Sequence, residues 1–146
     1  MPDGLLGSLI TLFASAFLAA TLVPAQSEAL LWLTVRSHPE AVALVVLVAT
    51  CGNVLGACVN WVLGRFFSHY VGHPRFPFST RHIAAAQSRY HRYGWWSLFA
   101  SWVPLIGDPI TCVAGFLREP FWRFILIVTV AKGGRYLVVL YLAQTW

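Results

Sequence analysis

Two acids and two bases lie inside apolar stretches of this chain. Glu28 and Asp108 are the acids, and Lys132 and Arg135 are the bases. A charged side chain at the centre of a bilayer costs about 2.5–3.5 kcal/mol on insertion scales, so it is seldom retained without a partner or a purpose. Two buried carboxyl groups that face each other can bind and release a proton, and lysine and arginine can neutralise acids or bind phosphate. These four residues are therefore predicted to form a proton, ion or substrate site.

Each of these charges also has a structural interpretation. Either acid could cap the N-terminus of a half-helix, where the helix dipole and the free N–H groups favour negative charge. The run Lys132-Gly133-Gly134-Arg135 could be a break between two short helices, with its cations paired structurally. The sequence leaves both interpretations open.

The surroundings of the two acids repeat. Residues 23–28 (VPAQSE) and 103–108 (VPLIGD) share Val-Pro, two variable residues, a small residue and an acid. The same offset carries Gly52 and Asn53 onto Lys132 and Gly133. Because proline and glycine interrupt helices, each motif is predicted to lie at the tip of a re-entrant membrane hairpin. The predicted hairpin breaks are Pro24, Pro104, Gly107 and Pro109.

Composition indicates an integral membrane protein. Of 146 residues, 58% are hydrophobic and only 10% are charged, whereas a soluble domain has about 25% charged residues. One spanning helix takes about 20 apolar residues, so a few membrane segments account for the whole chain. Residues 41–64 form one uncharged span, and residues 121–146 could span once.

Positive charge is concentrated in residues 65–93, which contain no acid. The arginines of this loop are Arg65, Arg75, Arg81, Arg89 and Arg92. Basic loops beside membrane spans are usually cytoplasmic, so this one is predicted to touch anionic lipid inside the cell. Both termini are then expected outside. Within the loop, residues 79–90 are predicted to form a short amphipathic helix.

We therefore predict an all-α integral membrane protein with a single domain. It is an inverted repeat of two re-entrant helical hairpins, each followed by a transmembrane helix. Repeat 1 covers about residues 5–64, and repeat 2 covers about residues 94–146. Transporters are built in this way, with a binding site near the midplane where the broken segments meet.

Small residues recur every four positions along the first span. Gly52, Gly56, Asn60 and Gly64 would share one helix face, which is typical of close helix packing in membranes. Exposed glycine faces favour association, so a homodimer is expected. Asn53 and Asn60 could also hydrogen-bond the backbone of a hairpin or a polar ligand, and Asn53 is predicted to belong to the proton, ion or substrate site with the four charged residues.

Other kinds of site are not expected. A basic block could indicate nucleic-acid binding, but here it adjoins long apolar segments, which favours lipid. The histidines of residues 65–93 match no zinc spacing, and the three cysteines lie in apolar stretches, where they are read as packing residues. We predict neither a metal nor a cofactor. A serine hydrolase is conceivable, but no nucleophile-elbow pattern is present.

The chain resembles the DedA superfamily, also called the VTT-domain or SNARE-associated Golgi protein family. The similarity is carried by SEALL around Glu28, by GNVLGACVNWVLGR, and by RYGWWSLFASWVPLIGDPITCVAGFLR. It covers nearly the whole chain and is closest to the short YqaA-type branch.

The resemblance implies the inverted-repeat fold, residence in the bacterial inner membrane, a role in envelope integrity, and transport or scrambling of lipids, including phosphate-bearing ones. The family's essential hairpin acid matches Glu28. Its second hairpin reads Arg-Phe-x-Pro-x-x-Arg, but residues 101–107 read SWVPLIG here. Ser101 and Gly107 replace both arginines, so Lys132 or Arg135 would have to supply the positive charge.

The leading hypothesis is a small transporter or scramblase of a lipid or similar amphiphile, with Glu28 and Asp108 as proton or ion sites. One alternative is a proton-coupled carrier of a small ion or cationic drug, since two acids suit a cation. A second alternative is a non-transporting scaffold that uses its glycine face and its basic loop. Enzymatic activity is not expected. Membrane lipids are the expected partners.

Overall fold

The computed structural model describes residues 3–21, 26–70, 73–74, 81, 88, 92, 94, 96, 98–99 and 107–145. Regular structure in these ranges is helical, and no strand is present in them. The longer helices are α1 (Asp3–Thr21), α2 (Gln26–Ser37), α3 (Val42–Ser68), α4 (Gly107–Phe116) and α5 (Phe121–Thr145), and a short 3₁₀ turn (Pro39–Ala41) joins α2 to α3. The all-α prediction is confirmed for this part of the chain.

Two of these helices are long and apolar enough to cross a membrane. They are α3 with its preceding turn, 30 residues in all, and α5, with 25 residues. Large apolar side chains are exposed on both helices, among them Leu47, Val62, Leu126, Val130 and Leu137. Such an apolar exterior is consistent with helices that face lipid. The spans predicted at 41–64 and 121–146 are thus helices of sufficient length.

Helix α1 packs along α3 in the same direction, and glycines allow the close approach. A Cβ atom added to Gly52 would lie 2.7 Å from the Phe13 carbonyl oxygen, and one added to Gly56 would lie 2.6 Å from the Ala20 Cβ. Further along, Asn60 Nδ2 donates a hydrogen bond of 2.8 Å to the Ala20 carbonyl. This bond satisfies a carbonyl in the last turn of α1, which has no partner within its own helix.

Helix α4 lies against the last turns of α3. Gly64 faces the backbone of α4 at Cys112, and Gly115 faces the backbone of α3 at Trp61. The glycine face of α3 is therefore buried against α1 and α4 of the same chain. The expectation that this face is exposed for dimerisation was wrong, because intramolecular packing already uses it. A homodimer stays a prediction and would need another surface.

Two apolar cores lie along α3. One joins α1, α2, α3 and α5 and contains Leu5, Leu9, Leu12, Leu31, Val45, Ala49, Tyr136 and Leu140. The other joins α3, α4 and α5 and contains Val54, Ala57, Leu98, Ala114, Leu117, Phe124, Ile127 and Val128. The polar residues described below lie next to these cores.

A left-handed residue ends α4. Arg118 has φ of 63°, and the next N–H, that of Glu119, bonds the Ala114 carbonyl at 3.0 Å. Together with the Arg118 to Gly115 bond of 3.1 Å, this forms a Schellman motif, which usually has glycine at the left-handed position. The motif turns the chain into Pro120, whose carbonyl accepts the first bond of α5.

The structure tests some of the helix breaks that were predicted from the sequence and leaves others untested. Helix α5 is continuous through Lys132 and Arg135, so the suggested break between two short helices was wrong. Gly107 is the first residue of α4. Pro24, Pro104 and the side chain of Pro109 lie outside the described residues, as does most of the region 79–90. The re-entrant hairpins and the inverted repeat stay predictions.

Candidate functional site

An ion pair joins the start of α2 to the middle of α5. Arg135 Nη2 donates a hydrogen bond to Glu28 Oε1, although the two residues are 107 positions apart in sequence. The Arg135 side chain is 10% exposed and that of Glu28 is 32% exposed. Each charge thus has an opposite partner, which lowers the cost of holding both within an apolar surrounding. The positive charge at mid-helix and the acid of the first hairpin motif belong to one site.

Local structure also favours an acid at position 28. Glu28 lies in the first turn of α2, where the positive end of the helix dipole stabilises a carboxylate. The helix-end interpretation and the ion-pair interpretation therefore apply together. Arg135 adds a specific partner to a position that already suits negative charge.

A chain of buried hydrogen bonds runs beside the ion pair. Asn53 Nδ2 donates to the Tyr136 hydroxyl at 2.9 Å, and the Tyr136 hydroxyl donates to Ser27 Oγ at 3.2 Å. All three residues are at most 4% exposed. The chain connects α3, α5 and α2 through neighbours of the charged pair, because Ser27 precedes Glu28 and Tyr136 follows Arg135.

Lys132 lies on the same face of α5 as the paired arginine. Residues three and four apart are neighbours on a helix surface, so Lys132 is next to Arg135 and Tyr136. Lys132 is only 2% exposed and Arg135 is 8% exposed. Two cations are therefore buried near the middle of a helix that is long enough to span a membrane.

The other predicted acid is located only by its backbone. Asp108 is the second residue of α4, and its side chain lies outside the described residues. One turn later, the hydroxyl of Thr111 accepts a hydrogen bond of 3.2 Å from Asn60 Nδ2. Asn60 thus connects α1, α3 and α4. The meeting of Glu28 and Asp108 across a pseudo-two-fold axis stays a prediction.

Polar atoms that have no hydrogen-bond partner among the described residues also lie near the site. They include Asn53 Oδ1 and Thr50 Oγ1, both buried on α3. Thr50 faces α5 at Gly133, where an added Cβ atom would lie 3.5 Å from the Thr50 methyl carbon. No group of three or more metal-ligating side chains is found in the ranges that the structure describes. The absence of a metal stays an expectation.

Three participants were not predicted from the sequence: Ser27, Thr50 and Tyr136. The only feature of the sequence that could have indicated them is a polar group inside an apolar segment, next to a charged or glycine-rich position. Hydroxyls of this kind are common in membrane helices, where they usually bond their own backbone. Ser27 and Tyr136 are distinguished by a bond between helices that are distant in sequence, and Thr50 by a buried hydroxyl that has no partner among the described residues.

A family model and several known proteins match this chain over most of its length. Residues 4–145 match the VTT domain. The inner membrane protein YqaA of Escherichia coli (strain K12) is 38% identical over 135 residues, which cover 90% of this chain and 88% of that protein. The protein of the same name from Shigella flexneri matches equally well.

An uncharacterized protein of Haemophilus influenzae is 33% identical over 144 residues, covering 93% of this chain and 87% of that protein. No solved structure matches the chain. The domain match across nearly every residue, together with relatives that are 33–38% identical over most of both chains, confirms the resemblance stated above. The chain belongs to the DedA family of VTT-domain proteins.

Proposed function

We propose that this protein is a small multi-pass transporter or scramblase of the bacterial inner membrane that moves a lipid or a similar amphiphile. Membership of the DedA family and the name of the Escherichia coli relative, an inner membrane protein, support the location. The observation that carries the proposed activity is the pairing of Glu28 with Arg135 halfway along a membrane-length helix. A paired charge in that position can exchange its partner for a substrate.

The proposed mechanism is an exchange of counter-ions. In the described state, Glu28 neutralises Arg135. Protonation of Glu28 would remove that negative charge, and the guanidinium would then be available for an anionic headgroup such as phosphate. Arginine suits this role because its planar fork of donors matches phosphate oxygens. Proton uptake and headgroup binding would thus be coupled at a single residue pair.

The charge of the site favours an anion over a cationic drug or small cation. A cation would have to displace Arg135 from Glu28, and Lys132 is buried on the same face. An anion would replace Glu28 at Arg135, as in the exchange above, and Lys132 adds positive charge to the same helix face. The proposed activity is movement without a chemical conversion, so no residue is assigned a catalytic role.

The test removes each charge of the pair and leaves a polar amide in its place. Glu28→Gln and Arg135→Gln are reconstituted in vesicles, and translocation of an acyl-labelled phospholipid is followed by quenching of the outer leaflet. Loss of one charge-assisted hydrogen bond corresponds to about a tenfold change or more. We therefore expect both variants to translocate lipid at least about tenfold more slowly than the unmodified protein.

Matched controls carry the same substitutions away from the site. Glu40 is exposed on the 3₁₀ turn, and Arg36 is exposed at the end of α2 over the Trp32 ring. Glu40→Gln and Arg36→Gln should translocate lipid at the unmodified rate. Unchanged translocation in Glu28→Gln and Arg135→Gln would contradict the mechanism. If lipid movement then depended on residues 65–93 instead, the scaffold alternative would be favoured.

A further inference from the structure

An open groove lies between one face of α1 and one face of α2. Its volume is about 410 Å³, which is within the range of sites that hold small molecules. On both helices the lining residues are three and four positions apart and therefore share one face. On α1 they are Gly4, Gly7, Ser8 and Thr11, and on α2 the lining extends from Leu30 to Ser37. At 1.5 Å per residue, the groove follows each helix for roughly 10 Å.

The hydroxyl groups in the groove are already used within their own helices. Each donates to the carbonyl four residues earlier, at 2.7–3.0 Å. They belong to Ser8, Thr11, Thr34 and Ser37. Because these donors are satisfied, a hydrocarbon chain in the groove would leave no hydroxyl donor without a partner. The groove therefore behaves as an apolar surface, although serines and threonines form part of it.

Two glycines widen the groove. A Cβ atom added to Gly4 or Gly7 would meet no atom within 4 Å among the described residues. Gly52 and Gly56 differ, because a Cβ atom added there would lie 2.6–2.7 Å from atoms of α1. Glycine inside a helix is unfavourable relative to alanine. Contacts between the described helices therefore do not account for Gly4 and Gly7, whereas an occupant of the groove would.

A positive charge lies at one end of the groove. Arg36, in the last turn of α2, is exposed, and its guanidinium lies 4.5 Å from the centre of the Trp32 ring. Tryptophan and arginine favour the depth of the headgroups in a membrane, because each has an apolar body and a polar tip. Arg36 is three residues beyond Leu33, which lines the groove. An anion bound at Arg36 would thus lie beside the entrance of an apolar groove.

We propose that this groove holds one acyl chain of a resident anionic phospholipid, whose phosphate binds Arg36. The groove is about a third as long as the hydrocarbon layer is thick, so it encloses the part of the chain nearest to the headgroup. This lipid stays in place and is not the lipid that is moved. The inference therefore does not depend on the proposed function.

A second copy of this protein is a less favourable occupant. Copies in one membrane have the same orientation, and a two-fold interface along the groove would use the same face of each copy. Arg36 of each copy would then lie at the same depth, facing a like charge. An anionic lipid brings the opposite charge to that position.

Native mass spectrometry measures which lipid the purified protein retains. The protein is released from micelles that contain phosphatidylglycerol, which is anionic, or phosphatidylcholine with identical acyl chains, which is zwitterionic. One unit of charge near Arg36 corresponds to about a fivefold difference in affinity. We expect one phosphatidylglycerol molecule to be retained about fivefold more tightly than phosphatidylcholine. Glycerol phosphate, which has the anion but no acyl chain, should not displace it.

Two variants test the charge and the groove separately. Arg36→Gln should weaken the retention of phosphatidylglycerol about tenfold, through loss of a charge-assisted hydrogen bond. Gly7→Leu should abolish retention by filling the groove, and its side chain starts from a Cβ atom that meets no described neighbour. The controls are Arg123→Gln, which removes an arginine over a tryptophan ring at the other end of the bundle, and Ala14→Leu, at an exposed position of α1 outside the groove. Both should retain the lipid as the unmodified protein does.

Each outcome decides for or against the lipid site. Selective loss in Arg36→Gln and Gly7→Leu, with both controls unchanged, would support it. Equal retention of the two lipids, displacement by glycerol phosphate, or undiminished retention in either variant would overturn it. A dimer that Gly7→Leu dissociates would identify a second copy as the occupant and would also overturn it. Lipid movement plays no part in these measurements, so failure of the proposed function would leave them unchanged.

Discussion

At the scale of single residues, the site consists of polar groups that satisfy one another across three helices. Glu28 and Arg135 pair their charges, while Tyr136 donates to Ser27 and accepts from Asn53. Without water, each of these groups depends on its partner, so the contacts also hold the start of α2 against α3 and α5. The side chains that are proposed to bind substrate therefore also contribute to stability.

Tyr136→Phe isolates the hydrogen-bond chain from the charges. The substitution leaves the ring in place but removes the partner of Asn53 and of Ser27, both of which are buried. We expect a loss of about 1–3 kcal/mol in the free energy of unfolding. Equilibrium unfolding in mixed detergent micelles measures it. Adding Ser27→Ala should cost less than in the unmodified protein, because the two residues share one bond; additive losses would argue against that bond.

At the scale of elements, the glycines of α3 and α5 serve different purposes. Gly52 and Gly56 allow α1 to lie against α3, since any Cβ atom there would meet backbone or Cβ atoms at 2.6–2.7 Å. A Cβ atom added to Gly134 would meet no atom within 4 Å in the part of the chain that the structure describes. The first two are explained by helix packing, whereas the last leaves open space between two basic residues.

Alanine substitutions should separate these two kinds of glycine. Gly52→Ala and Gly56→Ala force α1 away from α3, and overpacking of this kind costs about 1–3 kcal/mol. Gly134→Ala meets no neighbour and should stabilise the helix by up to about 1 kcal/mol. Unfolding in the same detergent mixture gives both values. A destabilised Gly134→Ala, with Gly52→Ala unaffected, would reverse the assignment.

At the scale of the whole molecule, charge is uneven between the two ends of the bundle. The end of α3 and the start of α5 lie together, as shown by the Trp61 and Phe121 rings, whose centroids are 5.1 Å apart. Arg65 lies over the Trp61 ring and Arg123 over the Trp122 ring, at 5.7 Å and 5.6 Å from the ring centroids. Basic residues beside membrane spans are typical of a cytoplasmic end, and the topology predicted from the sequence places this end inside the cell.

Cysteine labelling tests the predicted topology, in which the basic loop of residues 65–93 lies inside the cell and the end of α5 lies outside. In a background with Cys51, Cys58 and Cys112 replaced by alanine, Ser88→Cys marks the basic loop and Thr145→Cys marks the end of α5. We expect an impermeant maleimide to label Thr145→Cys in intact cells without an outer membrane, and Ser88→Cys only after the inner membrane is opened. Labelling of Ser88→Cys from outside would contradict the cytoplasmic loop.

Local sequence determined the membrane class, the two long spans, the buried charges and the small-residue face of α3. Each of these follows from composition or from spacing within one helix, which is information that neighbouring residues carry. The family could also be recognised, because its motifs are continuous stretches of sequence. The break suggested at Lys132 to Arg135 was wrong because surrounding helices support α5 despite its two glycines.

Only the tertiary structure decided which residues meet. Sequence offered both Lys132 and Arg135 as partners for Glu28, and helix packing brought Arg135 into contact with it. It likewise joined Ser27 to Tyr136 and left Thr50 unpaired opposite Gly133. Such contacts depend on the depth, direction and rotation of helices that are distant in sequence. No local pattern specifies those quantities, because they result from packing all the helices at once.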